Sequence, residues 1–382
     1  MIRKFSRRLL VFIYICICIS FLVGCLSPFF NPFRWWLFGF IGLMFPYILI
    51  TLTIFFFFWL FVKPKWCILA ALCFIIGWKS ILAVFAFHIG KSFDKNKKQE
   101  NTLRVMTWNV RSFARIDEKF KKPGLSIHQM KMLDLIKEYD PDVLAMQEFF
   151  TVDSGKYFNS VWHFTRDMGY SYYYFSKDEV KYRHFFSGTV IFSKYPIVDT
   201  SKASLSLAKD DVTESLLSAD IAFKEDTIRV YTGHLQSFGF KEREYEDISK
   251  IKNDPSERLD ASKNIFRKMR YAFERRGEQA EFIRGKLDSS RHPEIFCGDL
   301  NDVPNSYTYF SIKGDKKDAF IASNFGFGQT YYSFSSGFMR ELPTLRIDYI
   351  FADPRFKILQ CDRIPKVFSD HFPVVADMAL QK

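Results

Sequence analysis

Residues 294–304, EIFCGDLNDVP, decide how the chain is read. Glu294–Cys297 has the composition of a buried strand, and the chain then turns polar at Asp299 and Asn301, on either side of Leu300. A strand that ends this way delivers its polar side chains to the edge of a sheet. The same pattern recurs along the chain. Leu103–Trp108 is followed by Asn109, Asp142–Met146 by Gln147 and Glu148, and Ile228–Thr232 by Gly233 and His234. Ile347–Phe351 carries Asp348 inside a strand, and Asp370 and His371 precede the strand Val374–Met378. Thr189–Phe192 reads as a further strand. Residues 126–139 and 256–288 return apolar side chains at helical intervals. Strands interleaved with helices predict an α/β layered domain. The chain shows no internal repeat.

Upstream the composition changes. Three apolar runs dominate residues 1–98: LLVFIYICICISFLVGCLSP at 9–28, WWLFGFIGLMFPYILITLTIFFFFWLFV at 35–62 and WCILAALCFIIGWKSILAVFAF at 66–87. About 20 apolar residues carry a helix across a hydrocarbon core. A transmembrane anchor of three helices is therefore predicted over 1–88, with Pro46 able to bend the second and Lys79 interrupting the third. Trp35, Trp36 and Trp66 sit near run ends, where an interfacial belt is expected. Arg3, Lys4, Arg7 and Arg8 precede Leu22-Val23-Gly24-Cys25, a match to a bacterial lipoprotein signal. Two more apolar runs follow, so anchoring is expected whether or not Cys25 is processed.

Charge follows the same division. Residues 1–98 hold twelve Lys and Arg against one acid, and the remainder carries a balance of only +1. The formal +12 of the chain thus belongs to the membrane-flanking part and is no warrant for a nucleic-acid-binding domain. The basic N-terminus, with Lys63 and Lys65 between the second and third runs, predicts a cytoplasmic start and an extracytoplasmic soluble part. Residues 89–101 read as a polar linker and 102–382 as the soluble domain. Five of the seven cysteines lie in the apolar runs, and no spacing suggests a zinc site or a disulfide framework. Within 256–288, Arg267, Lys268, Arg270, Arg275 and Arg276 read either as a solvated face balanced by Glu274, Glu278 and Glu281 or as a basic face resting on anionic lipid.

The strand ends would bring together the carboxylates Glu148, Asp299, Asp348 and Asp370, the amides Asn109 and Asn301, and the imidazoles His234 and His371. Hard oxygen donors select Mg²⁺ or Mn²⁺ over zinc. Such a cation and nearby imidazoles suit hydrolysis at phosphorus. Each residue also has an ordinary reading: Asn109 as a turn residue, Glu148 as a solvated strand end, His234 as a structural histidine, Asp299 to Asn301 as a cap. Asp348 differs, because a carboxylate inside a strand needs a partner. It is their order together that argues for a site.

The series TWNV (107–110), AMQE (145–148), GHLQS (233–237), GDLND (298–302), RIDYIF (346–351) and SDHFPV (369–374) resembles the ordered motifs of the endonuclease/exonuclease/phosphatase family. That family includes deoxyribonucleases, AP endonucleases, inositol-polyphosphate 5-phosphatases and neutral sphingomyelinases. The likeness spans roughly 103–380 and extends to bacterial membrane proteins that carry this domain behind a three-span anchor. It implies an α+β four-layer sandwich, two packed mixed sheets flanked by helices. It implies Glu148 as principal metal ligand with Asn109 and Asp370 beside it. Asp299 would activate the attacking water, and Asn109, Asn301 and His371 would bind phosphate. Asp348 would polarise His371, and His234 would serve the leaving group. The expected activity is Mg²⁺- or Mn²⁺-dependent hydrolysis of a phosphodiester or phosphomonoester. Its expected partners are the lipid bilayer and a phosphate-ester substrate (a lipid headgroup, a small molecule or a nucleic acid), with no protein partner evident. A bacterial cytoplasmic-membrane location is implied. The alternatives are a nuclease for periplasmic or external nucleic acid and a non-catalytic membrane scaffold.

Overall fold

The computed structural model describes residues 2–89, 93–96, 98, 101–114, 126–153, 159–206, 214–240, 258–332 and 344–381. Its strands are β1 (Ala86–Phe87), β2 (Leu103–Asn109), β3 (Val143–Val152), β4 (Tyr172–Phe175), β5 (Glu179–Lys181), β6 (Phe185–Ser193), β7 (Ile197–Ala203) and β8 (Leu216–Phe223). They continue as β9 (Asp226–Thr232), β10 (Glu294–Asp299), β11 (Lys317–Asp318), β12 (Phe325–Gly326), β13 (Asp348–Ala352), β14 (Phe356–Arg363) and β15 (Val374–Leu380). The helices that matter here are α1 (Ile2–Gly24), α2 (Leu37–Val62), α3 (Cys67–Ile76), α4 (Trp78–Val84) and α5 (Ile127–Tyr139). Three more are α6 (Arg258–Asp288), α7 (Tyr307–Lys313) and α8 (Ala319–Ser323).

All of these strands except β1 and β12 form two mixed sheets. One runs β14-β15-β2-β3-β6-β4, with β5 added on β6, and the other runs β11-β13-β10-β9-β8-β7. Each has a single parallel pair near its middle, β2 with β3 and β9 with β10, among antiparallel neighbours. Side chains alternate across a strand, and this builds the layers. Val105, Ala145, Ile191 and Ala376 from the first sheet meet Ala219, Val230, Ile295 and Ile350 from the second in one buried core. Met106, Leu144 and Phe192 point the other way onto Met132 and Ile136 of α5. Tyr231, Phe296 and Phe351 point outward onto Ile283 of α6 and Ile312 of α7. The result is the expected four-layer arrangement of helices, two packed mixed sheets and helices.

The N-terminal segment departs from three continuous helices. Ser6–Phe29 and Leu37–Val62 are long and apolar enough to cross a membrane, but the third run is two helices bent by 72°. The break falls at Gly77, which lies so close to α1 that a Cβ there would meet Phe21 at 2.6 Å and Cys25 Sγ at 2.7 Å. The run then ends in the short strand β1, which pairs with β12. Lys79 lies exposed on α4 beside the Trp78 ring.

This segment is packed onto the sandwich. Arg346 donates to the Ala83 carbonyl (2.7 Å), Asn305 to the Gly24 carbonyl (2.9 Å), and Tyr47 and Thr344 share a hydrogen bond of 2.7 Å. The described residues of 89–101 also lie against the domain: the Asp94 N–H donates to Gln360 (2.9 Å), and the Lys95 carbonyl accepts from Arg104 (2.9 Å). The basic residues of α6 form no uniform lipid-facing stripe. Arg270 pairs with Glu274 (2.8 Å), Arg275 pairs with Glu278 (2.6 Å), and Arg276 is wholly buried. All seven cysteines are free.

Candidate active site

Strand register explains how residues far apart in sequence meet. β2 and β3 run parallel with Asn109 beside Gln147, so both chains leave their sheet at the same edge. β9 and β10 do the same in the other sheet, where His234 and Asp299 form a parallel bridge just past the strands. Gly298 permits that approach, since a Cβ there would sit 2.4 Å from the Gly233 carbonyl oxygen. β13 is antiparallel to β10 with Asp348 directly opposite Asp299, which sets two carboxylates side by side. Gln147 joins the sheets beneath, donating to Thr107 (3.1 Å) and Thr232 (2.9 Å).

All eight residues singled out in the sequence lie around this edge. Asn109 Nδ2 donates to Glu148 Oε1 and Asp299 Oδ2, both at 3.1 Å. His371 Nδ1 lies 3.1 and 3.0 Å from the two Asp348 oxygens, and its Nε2 is 3.7 Å from Asp299. His234 Nε2 stands 3.6 Å from Asp299 and 3.9 Å from Glu148. Asp370 pairs with Arg111 at 3.5 Å and accepts from Ser369. The Asn301 N–H donates to Asp299 Oδ1 (2.7 Å).

Two further contacts orient the amides of Asn109 and Asn301. The Asn109 oxygen accepts from the Arg111 N–H (3.1 Å), and its Nδ2 bridges the Glu148 and Asp299 carboxylates. Asn301 Nδ2 donates to the Leu235 carbonyl (3.0 Å), which commits its amide to joining two loops.

Backbone strain marks the same edge. β3 loses register with β6 between Met146 and Phe149, and Glu148 in that bulge has φ +50°. Asn301 has φ +51°. Left-handed backbone is uncommon outside glycine, and such strain gathers at functional sites. The bulge is held by a residue the sequence reading missed. The Glu214 carboxylate accepts the Glu148 N–H at 3.0 and 3.1 Å and the Thr189 hydroxyl at 2.6 Å, and it lies 3.8 Å from His234 Nδ1. It follows no strand end and belongs to no motif, so only its spatial neighbours give it away. Arg111 was missed although it directly follows the strand end and motif at 107–110, because its pairing with Asp370 joins distant parts of the chain.

Electrostatics follow from burial and crowding. Burial and the Asp348 charge raise Asp299 above the usual carboxylate range. Burial pushes Glu214 up to about 7, although His234 opposes it. Burial would lower the His371 pKa, but Asp348 and Asp299 outweigh it and hold the imidazole well above its ordinary value. His234 is raised likewise, with burial opposed by Asp299, Glu214 and Glu148. Burial raises Asp370, and so does the nearby Glu148 charge.

The donor set fits a hard divalent cation. Asp299, Asp348 and His371 have ligand atoms within 4.8 Å of one another, but the His371 imidazole between the two carboxylates is already hydrogen-bonded to Asp348 and stands 3.7 Å from Asp299. The open side is elsewhere: the Glu148 and Asp370 side chains are 37% and 20% exposed, against 0% and 1% for Asp299 and Asp348. Mg²⁺ keeps several waters and takes one or two carboxylates, which suits Glu148 and Asp370.

The chain matches the Endonuclease/Exonuclease/phosphatase family over residues 106–371 and a domain of unknown function over residues 7–84. No curated protein matches it. Among solved structures, a family protein from Bacteroides thetaiotaomicron is 17% identical, with 73% of this chain and 95% of that one covered and a TM-score of 0.50. A family protein from Leptotrichia buccalis C-1013-b is 18% identical over 73% and 100% of the two chains, with a TM-score of 0.48. The mannosyl-6-phosphatase of Bacteroides thetaiotaomicron VPI-5482 is 17% identical over 73% and 100%, with a TM-score of 0.49.

Proposed function

This chain belongs to the endonuclease/exonuclease/phosphatase family, and from that premise we propose that it hydrolyses a phosphate ester by in-line attack of water. In this reading residues 1–88 anchor it in a membrane and 102–382 form the catalytic domain. The observation that carries it is the convergence on Asp299 of His234 and of His371, the latter hydrogen-bonded to Asp348, with Glu148 and Asp370 on the open side of the same edge.

Glu148 and Asp370 would hold the cation, with Asn109 and Glu214 fixing the position of Glu148. Bound Mg²⁺ or Mn²⁺ would neutralise charge on the phosphoryl oxygens. Asp299, buried and flanked by both imidazoles, accepts the proton of the attacking water. His371, held in one orientation by Asp348, donates from Nε2 to a phosphoryl oxygen. His234 gives a proton to the leaving oxygen, with Glu214 behind its Nδ1. Asn301 holds the loop after β9 and lies beside the phosphate.

The reading extends to location: α1 and α2 sit in a bacterial cytoplasmic membrane, with the domain on the extracytoplasmic side. A nuclease is the weaker alternative because residues 99–382 carry a balance of only +1. The test is hydrolysis of bis(p-nitrophenyl) phosphate by the full chain in detergent with Mg²⁺, against Asp299→Ala. Loss of a positioned proton acceptor is expected to lower kcat by about 10²- to 10⁴-fold. Equal rates would remove the proposal, and a non-catalytic scaffold would then stand.

A further inference from the structure

Helix α6 touches the anchor with one stripe and the catalytic loops with the next. At 3.6 residues per turn, Phe266, Phe273, Gly277 and Glu281 share the first. Phe40 of α2 stacks on Phe266 and meets Phe273 edge-on, each at 4.9 Å between ring centres. Asn31, in the turn between α1 and α2, donates to Glu281 (2.6 Å) and to the Gly277 carbonyl (3.4 Å). Gly277 is so close that a Cβ would fall 2.2 Å from Asn31 Oδ1 and 3.0 Å from the Phe33 nitrogen.

About a third of a turn round the helix, Arg276 and Gln279 are fully buried and grip both backbone polar groups of one residue, Gln236, in the loop behind His234. Arg276 Nη1 donates to the Gln236 carbonyl (3.0 Å), and the Gln236 N–H donates to Gln279 Oε1 (3.0 Å). Gln279 also donates to the Leu205 carbonyl (2.9 Å). The Arg276 guanidinium lies 3.4 Å from Asp302 and 4.8 Å from the Phe238 and Phe273 ring centres. Between these groups sits Leu235, whose N–H donates to the Asp299 carbonyl (3.0 Å) and whose carbonyl accepts from Asn301 (3.0 Å). The loops carrying His234 and Asn301 are thus tied to each other and, through two side chains, to the helix on which the anchor rests.

We propose that Arg276 and Gln279 are positioning residues for His234 and Asn301, and that the anchor, docked on the neighbouring stripe of α6, helps to set their geometry. The physical reason is that past the end of β9, among the described residues, the sheet holds this loop through the bridge between His234 and Asp299 and the Glu214 N–H that donates to the His234 carbonyl (3.4 Å). The rest of the loop takes its position from α6, and α6 takes its position from both the sandwich and the anchor. The anchor is then a structural part of the active site as well as a tether.

The rate readout rests on the phosphoesterase reading, and amide exchange supplies one that does not. The full chain in detergent is compared with Gly277→Ala, Gly285→Ala, Asn31→Ala and Arg276→Lys. Gly285 lies on the same helix with open space around its Cβ position, so both glycine variants gain the same helix propensity and only Gly277→Ala disturbs docking. Gly277→Ala and Arg276→Lys are expected to lower kcat about tenfold or more with KM nearly unchanged, as displacement of a catalytic group does. Both should speed exchange at the Leu235 and Gln236 amides. Gly285→Ala should match wild type in both respects. Asn31→Ala leaves the helix sequence intact and should move rate and exchange in the same direction, which decides the matter if Gly277→Ala fails to fold. Wild-type rates and exchange in Asn31→Ala and Arg276→Lys would overturn the proposal. Should the wild type show no hydrolysis abolished by Asp299→Ala, the phosphoesterase reading fails, and faster exchange alone upholds the positioning.

Discussion

A charge is stable inside a protein only when its partner is buried with it, and Arg104 with Asp377 shows this away from the active site. The two face each other across β2 and β15 and form a bidentate pair at 2.7 and 2.9 Å, with Arg104 also donating to the Tyr139 carbonyl (2.7 Å). Arg104→Met leaves Asp377 buried without a countercharge and is expected to cost about 3–5 kcal/mol. Arg104→Met with Asp377→Leu should recover most of that loss. Thermal melts of both variants check it, and equal losses would show that the cost does not come from leaving Asp377 without its countercharge. Residue types at the active site were legible for a related reason, since polar groups at the ends of apolar strands need something to bind. Their orientations were not. Asn109 and Asn301 could each present oxygen or nitrogen, and only their neighbours Arg111, Glu148 and Leu235 decide which.

Elements were legible where periodicity is strong. The helices expected at 126–139 and 256–288 are found at Ile127–Tyr139 and Arg258–Asp288, and the seven strands expected are found with shifted ends, whereas the buried strand β8 and the strand β14 were not anticipated. The edge strand β7 was not anticipated, because its outward residues are exposed and its composition is polar. The bulge in β3 was also invisible, since it depends on Glu214 some sixty residues away. Behind that bulge, Asp178 fastens the start of β8. It accepts from Ser176 (2.6 Å), from the Ser215 hydroxyl and N–H (2.5 and 3.1 Å) and pairs with Lys202 (3.0 Å). Burial works against its charge, but these donors hold Asp178 below the usual carboxylate value. A carboxylate lowered in the folded state stabilises above its unfolded pKa and loses that contribution as pH falls through the folded one. Asp178→Asn is therefore expected to melt below wild type near neutral pH, with the gap closing below about pH 4. A gap that is constant with pH would show that the charge contributes nothing.

At the scale of the whole molecule, the anchor and the sandwich share surface. Ala83 belongs to the buried cluster between the second sheet, α6 and α7, and β1 extends from the anchor to pair with β12. Phe40 covers Phe266 and Phe273, and the Arg346 guanidinium takes the Ala83 carbonyl as acceptor. Removing residues 1–88 uncovers these apolar rings and strands a buried arginine donor. The truncated chain 89–382 is expected to melt at lower temperature and to self-associate relative to the full chain in the same detergent, by size exclusion and thermal scan. A monodisperse truncation with an unchanged melting temperature would mean that the shared surface adds no stability.

The order of the motifs and the apolar runs settled, before any coordinates, that polar strand ends would meet at one sheet edge behind an apolar N-terminal segment. That much follows from local pattern, because strand period and run length are written in consecutive residues. Packing alone decided that the third run bends at Gly77, that Glu214 shapes the bulge under Glu148, and that α6 links the anchor to the loops of His234 and Asn301. Those facts arise from contacts between residues tens to hundreds of positions apart. No local pattern encodes such contacts, since what selects them is the space left when the sheets, the helices and the anchor are packed together.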